Sequence, residues 1–254
     1  MKSKQERVAQ LREAASFLTP FVSTRGRPSP GAMAYFPVVG AGLGLFTGGV
    51  WRLARRSLAP LPAAVVVVAA DVALTGALHL DGVADTADGL LAHVPEKGRL
   101  AIMEEPEVGT FGTVALTVAL LGRVAAFAAI EPSLLLTAAL WSCSRSLMMI
   151  GSRTLPYARG EGLATAFLAG DENDVMVLAA AAAGMAGSGL AAWLTHGRRG
   201  LLGVVGGSVA GATVLGCARK RLGGFTGDVL GAAGVTCETV GLLIVAGPRP
   251  QPAE

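Results

Sequence analysis

The segment His79-Leu80-Asp81-Gly82-Val83-Ala84-Asp85-Thr86-Ala87-Asp88-Gly89 places three carboxylates at i, i+4 and i+7, directly after a long apolar run. On a helix advancing about 100° per residue, Asp81, Asp85 and Asp88 fall within a sector of roughly 60°. Like charges along one helix face cost roughly a few tenths of a kcal/mol per pair. A cation between them removes that cost, and hard oxygen ligands of this kind suit Mg2+ together with substrate phosphates. A solvated acidic helix end is the plainer alternative, but Gly82 and Gly89 are poor choices for a plain surface helix. The reading is a metal site in which one or two aspartates hold Mg2+ while another takes a proton from an attacking hydroxyl. Spacing alone does not divide those roles.

Further polar residues occur at intervals along an otherwise apolar chain. Ile102-Met103-Glu104-Glu105-Pro106-Glu107-Val108-Gly109-Thr110-Phe111-Gly112 offers Glu105 as an additional carboxylate ligand, and two glycines where backbone could approach a phosphate, with an ordinary acidic loop as the equal alternative. Arg145 lies inside an apolar run. An arginine there is costly and faces a polar cavity or a partner, so an anion-facing role is expected over simple snorkelling. Arg159, in Tyr157-Ala158-Arg159-Gly160-Glu161-Gly162, supplies a second guanidinium in a loop. Arg219-Lys220-Arg221-Leu222-Gly223-Gly224-Phe225-Thr226-Gly227-Asp228 combines basic side chains, a glycine turn with free amides and a carboxylate. Lys220 and Thr226 are its candidate phosphate contacts and Asp228 its candidate metal ligand. A basic membrane-flanking loop with a helix cap is the alternative there. For Arg123 the choice between a structural ion pair and function stays open, and Glu238 is an unexplained carboxylate within the final apolar run. His79 reads as a hydrogen-bonding neighbour of the aspartates.

The elements that position these residues are membrane helices. Of 254 residues, 52% are hydrophobic and 15% charged, against about 25% charged in ordinary globular chains. Apolar runs occur at about 35–51, 61–80, 113–130, 133–150, 175–196, 201–218 and 229–247, with the second able to continue as helix into the aspartates. The expected fold is all-α: a polytopic transmembrane helical bundle of roughly seven spans plus an N-terminal amphipathic helix over residues 4–22. The 35 glycines suit close helix approach, and Gly42, Gly44, Gly48 and Gly49 mark a packing face or a bent segment. One integral-membrane catalytic domain covers 1–254, with 1–32 as an N-terminal cytoplasmic segment and 248–254 as a short tail. A soluble Gly/Ala-rich α/β enzyme fits the run lengths poorly.

A net charge of +3 with pI near 9.0 does not indicate nucleic acid, because no aromatic-interleaved basic patch accompanies it. The basic residues instead flank apolar runs. With seven spans, thirteen (Lys2, Lys4, Arg7, Arg12, Arg25, Arg27, Lys97, Arg99, Arg153, Arg159, Arg219, Lys220, Arg221) lie on one side against six on the other. That bias puts the N-terminus and the three polar segments on the cytoplasmic face. Cys143, Cys217 and Cys237 lack metal-ligand spacing. Met1 to Arg12 is too polar for a cleavable signal peptide.

Taken in order, these segments resemble the cobalamin synthase family, the adenosylcobinamide-GDP ribazoletransferases. The resemblance rests on His79 to Gly89, on Ile102-Met103 leading to Gly109-Thr110-Phe111-Gly112, and on Ser144-Arg145 followed by Tyr157-Ala158-Arg159. Gly223 to Ala233 with Glu238 beyond it, and Tyr35-Phe36-Pro37-Val38-Val39-Gly40, complete the set, which spans about residues 16 to 245. It implies a multi-pass bacterial inner-membrane enzyme that joins α-ribazole, or its 5′-phosphate, to adenosylcobinamide-GDP. The products would be GMP and adenosylcobalamin or its 5′-phosphate, with Mg2+ as cofactor, the lipid bilayer as setting, and a homo-oligomer as one possible assembly. The family usually has Asp where Glu105 stands and a basic residue where Glu107 stands, so no binding role passes to Glu107. Pro20-Phe21 also replaces the family's basic N-terminal pattern. The rivals are a CDP-alcohol-type phosphotransferase, whose motif places Arg where Asp85 follows Ala84, and a cation transporter, whose carboxylates would lie nearer the bilayer midplane.

Overall fold

The computed structural model describes residues 3–24, 29–159 and 174–247. Arg25, Arg27, Lys2 and Arg249 of the charge count, and Gly160, Glu161 and Gly162 of the loop, lie outside the described residues. The described chain is helical throughout. In order it forms α1 (Lys4–Leu18), a 3-10 turn (Pro30–Tyr35), α2 (Phe36–Ser57), α3 (Pro60–Thr75) and α4 (Leu78–Leu91). The short α5 (Glu96–Ile102) follows, then α6 (Thr110–Ala129), α7 (Leu134–Thr154), α8 (Asp174–Leu222) and α9 (Gly227–Val245).

Ser3 and Glu6 close a reciprocal capping box at the start of α1. The helix ends at Leu18, short of the expected residue 22, where Thr19 turns extended and donates its hydroxyl to the Leu74 carbonyl. Only Ala14 and Leu18 are buried, and Val8 and Leu11 stay exposed.

Among the described residues five helices are long and apolar enough to cross a membrane, and the protein is an all-α polytopic helical bundle. α7 and α9 form its centre, with most of their residues buried, while α6 and α8 show Val114, Val118, Leu121, Leu190, Leu194 and Val209 outward. Exposed apolar surface on this scale marks a membrane or protein interface. α2 meets α7 along Gly40, Gly44 and Gly48. A Cβ on Gly40 would stand 2.6 Å from the Trp141 carbonyl oxygen, whereas Gly42 and Gly49 face open space. The packing face is therefore the i, i+4, i+8 set, not the four glycines expected. The 49-residue α8 breaks at Gly197 (φ 56°, ψ −139°). A Cβ on Gly189 would stand 3.5 Å from the Leu201 side chain, and Gly200 lies against the Ala192 carbonyl, so the two arms fold back on each other and supply two of the expected apolar runs.

The run 61–80 does not form one continuous span. Gly76 (φ 60°) and Ala77 (φ 59°) are both left-handed, and the chain turns by 90° between α3 and α4. A left-handed alanine costs about 1 kcal/mol or more. That strain redirects the aspartate helix. The 14 residues of α4 rise about 21 Å, too little to span, and they lie across α9 and α6 at one end of the bundle.

Candidate active site

α4 is held from both sides. Gly82 sits against the first turn of α9, where a Cβ would come 2.7 Å from the Asp228 carbonyl oxygen. At its far end, Arg99 donates to the Gly89 and Leu90 carbonyls (3.0 and 2.7 Å), and Arg221 donates to the Leu90 carbonyl. Two arginines thus satisfy the open carbonyls of the helix C-terminus and complement its dipole.

These contacts bring Asp81 and Asp85 of α4 beside Asp228 at the start of α9. The loop after α7 joins them by zipping onto the turn before α9. Ala158 N donates to Phe225 O (2.8 Å), Phe225 N donates to Pro156 O (2.9 Å), and the Tyr157 and Phe225 rings meet edge to face at 5.3 Å. Gly224 permits this, since its Cα packs onto the Pro156 carbonyl where a side chain would collide. Arg159 then reaches Asp228 (3.1 Å), Glu104 (3.6 Å) and the Met103 carbonyl (3.3 Å).

The cluster has more carboxylates than guanidinium groups. Burial first, then the charges of Asp81 and Asp228, push Asp85 up to about 6, against the opposing pull of Arg159. A divalent cation would relieve that repulsion. Among the described residues, no three His, Cys, Asp or Glu side chains converge tightly enough to enclose a metal alone. Mg2+ keeps waters and takes one or two carboxylates plus substrate phosphates, so substrate oxygens would have to complete its shell here. Asp81, Asp85 and Asp228 supply the right donor chemistry.

Other expected site residues are placed differently. Asp88 is buried, and its oxygens accept from Gly109 N (2.8 Å) and Gly112 N (2.9 Å). It caps the N-terminus of α6 and ties that helix to α4. Glycine is required at both positions, since a Cβ at Gly109 would come 2.6 Å from the Asp88 carboxylate. Thr226 is fully buried; its hydroxyl caps α9 through Val229 N and donates to Asp228 (3.3 Å), which places it to position that carboxylate. Glu105 is exposed, and it is Glu104 that meets Arg159. Lys220 is exposed on the last turn of α8.

Arg145 does not face the carboxylate cluster. Its side chain is 1% exposed and pairs with Glu238 (2.7 Å), with Ser144 and His79 beside it. Glu238 also pairs with Arg123, which holds Asp71 (2.6 Å) and lies over the Trp141 ring. Trp141 and Thr47 donate to Asp71, and Thr239 accepts from Arg123. Two arginines and two carboxylates balance inside the bundle, so Arg123 and Glu238 are ion-pair partners there. Asp71 escaped the sequence reading, although a lone carboxylate within Pro60–Thr75 demands a buried partner.

The family model for cobalamin-5-phosphate synthase matches residues 10–246. An adenosylcobinamide-GDP ribazoletransferase of Bradyrhizobium diazoefficiens is 37% identical over 248 residues, covering 94% of each chain. Proteins of the same name from Rhizobium johnstonii (37%, 74% of each chain) and Geotalea daltonii (35%, 79% of each chain) are also similar. No solved structure matches. The chain belongs to the cobalamin-5-phosphate synthase family and is a transferase.

Proposed function

We propose that this transferase joins α-ribazole, or its 5′-phosphate, to adenosylcobinamide-GDP. The products are GMP and adenosylcobalamin or its 5′-phosphate. The observation that carries the reading is the gathering of Asp81, Asp228 and Arg159 about Asp85, with Arg159 paired to Asp228, at one end of the helical bundle. An excess of carboxylate over guanidinium suits a metal-bound diphosphate better than a bare anion.

A ribazole hydroxyl attacks the phosphorus on the cobinamide side of the diphosphate. A new phosphate ester bond forms, the bond to the GMP phosphate breaks, and GMP departs. Mg2+, held by Asp81, Asp85 and Asp228, would neutralise diphosphate oxygens and the charge developing on the leaving phosphate. Arg159 neutralises a remaining oxygen, exchanging some of its contact with Asp228 and Glu104 for the substrate. Asp88 fixes α4 on α6, and its committed oxygens leave the attacking hydroxyl's proton to Asp81 or Asp85. The basic bias of the loops on this side supports a cytoplasmic face in the bacterial inner membrane.

The test is turnover by detergent-purified protein given adenosylcobinamide-GDP and α-ribazole, with Mg2+ or with EDTA. The reading expects adenosylcobalamin and GMP in equal amounts with Mg2+ and none with EDTA. Equal turnover under both conditions would remove the cation from the mechanism.

A further inference from the structure

A separate cleft lies behind α4, on the side away from the carboxylates. At about 100° per residue, Val83, Thr86 and Leu90 lie opposite Asp81 and Asp85. With Val214 and Cys217 of α8 and Ala232 of α9 they line a cleft of about 300 Å3, room for on the order of ten water-sized groups. Its walls are mainly apolar, and no carboxylate lines it.

Two features point to an occupant. Thr86 is 3% exposed, yet its hydroxyl has no hydrogen-bond partner among the described residues. Other helical threonines here return the hydroxyl to their own helix: Thr113 to the Gly109 carbonyl (2.9 Å), Thr117 to Thr113 (2.8 Å) and Thr213 to Val209 (2.8 Å). Thr86 departs from that habit on the wall of the cleft, and a buried unpaired hydroxyl is costly. The second feature is the rim. Arg221 lines the cleft at the end of α8, in a last turn that also carries Arg219 and Lys220. From Arg221 to Thr213, another lining residue, α8 rises about 12 Å, so the cleft runs from a basic rim inward along apolar helices.

We propose that this cleft binds one anionic phospholipid of the surrounding bilayer. Its phosphate sits against Arg221 and the basic turn, an acyl ester carbonyl accepts from Thr86 Oγ1, and an acyl chain lies along Val83, Val214 and Ala232. Basic pockets between membrane helices recognise anionic headgroups in this way. The bound lipid braces the back of α4 while the front carries Asp81 and Asp85, so lipid composition tunes the active site. The lipid site does not depend on the reaction proposed above, and its primary readout is retention of lipid.

Native mass spectrometry of the detergent-purified full chain, titrated with phosphatidylglycerol or phosphatidylcholine of equal chain length, tests it. The expected result is one retained phosphatidylglycerol, bound about tenfold more tightly than phosphatidylcholine. Thr86→Val and Arg221→Gln should each weaken retention about fivefold, consistent with loss of one hydrogen bond. Cys217→Trp, which fills the cleft, should abolish it. Thermal unfolding of each variant separates lost binding from lost fold, and the near-isosteric Thr86→Val stands alone if Cys217→Trp misfolds. Equal retention of the two lipids, or parental retention by folded Thr86→Val and Arg221→Gln, would overturn the proposal. Displacement by inorganic phosphate would assign only the rim to a free anion. Displacement by α-ribazole would assign the cleft to substrate. Either of these also overturns the lipid site.

Discussion

Replacing Glu238 with Gln tests the buried charge network. The Glu238 side chain is 2% exposed and faces Arg145 (1% exposed) and Arg123 (4% exposed). In Glu238→Gln, Arg123 keeps Asp71, but Arg145 retains only Ser144 and the His79 ring. An uncompensated buried charge costs about 3–5 kcal/mol, so Glu238→Gln should lose most of that amount. Adding Arg145→Met removes the stranded guanidinium and leaves the Arg123–Asp71 pair in balance. The double variant should therefore be more stable than Glu238→Gln by about 2 kcal/mol. Reversible unfolding in mixed micelles of mild detergent and dodecyl sulfate, followed by circular dichroism, measures both steps. If Glu238→Gln stays within about 0.5 kcal/mol of the parent, or the second substitution adds to the loss, the network does not hold the bundle. Preserved stability with a raised KM for adenosylcobinamide-GDP in Arg145→Met would return that residue to phosphate binding.

Because the folded protein binds a proton at Asp85 up to about pH 6, protons compete with the cation below that value. At limiting Mg2+, turnover should fall as pH drops through about 6, and added Mg2+ should restore it; a fall that Mg2+ does not reverse would count against Asp85 as a ligand. A Cβ on Gly82 would force α4 and α9 apart, so Gly82→Ala should cut kcat on the order of a hundredfold through misplaced carboxylates, read by steady-state kinetics on folded protein. Asp88→Asn should lower thermal stability by about 1–2 kcal/mol, through a weakened cap on α6, while retaining measurable turnover. Arg159→Met should raise KM for adenosylcobinamide-GDP more than it lowers kcat, and an unchanged KM would remove Arg159 from the substrate site.

The helical class and the aspartate helix were legible because they rest on local periodicity and on charges set in apolar runs. Arg123 and Glu238 stood out for the same reason, but pairing them required knowing that α6 and α9 touch. Asp71 carries the same signal, a lone carboxylate among the apolar residues of Pro60–Thr75. The 90° turn was harder to read. Gly76 alone resembles a tolerated helix glycine, and nothing in alanine announces a left-handed Ala77. Asp88, Thr226 and Arg145 have the residue types of a phosphate or metal site, yet backbone amides and a buried carboxylate claim them. Spacing on one helix cannot show which oxygens a neighbouring helix has already engaged.

In the proposed reaction Asp85 works at a cost in charge repulsion. It is tested by measuring, beside the parent at pH 8, GMP release of Asp85→Asn with saturating Mg2+ and its thermal stability in EDTA, where no cation screens the carboxylates. Turnover should fall by at least about a hundredfold, while stability without the cation should equal or exceed the parent's because a repelled carboxylate is gone. Parental turnover by Asp85→Asn would contradict it.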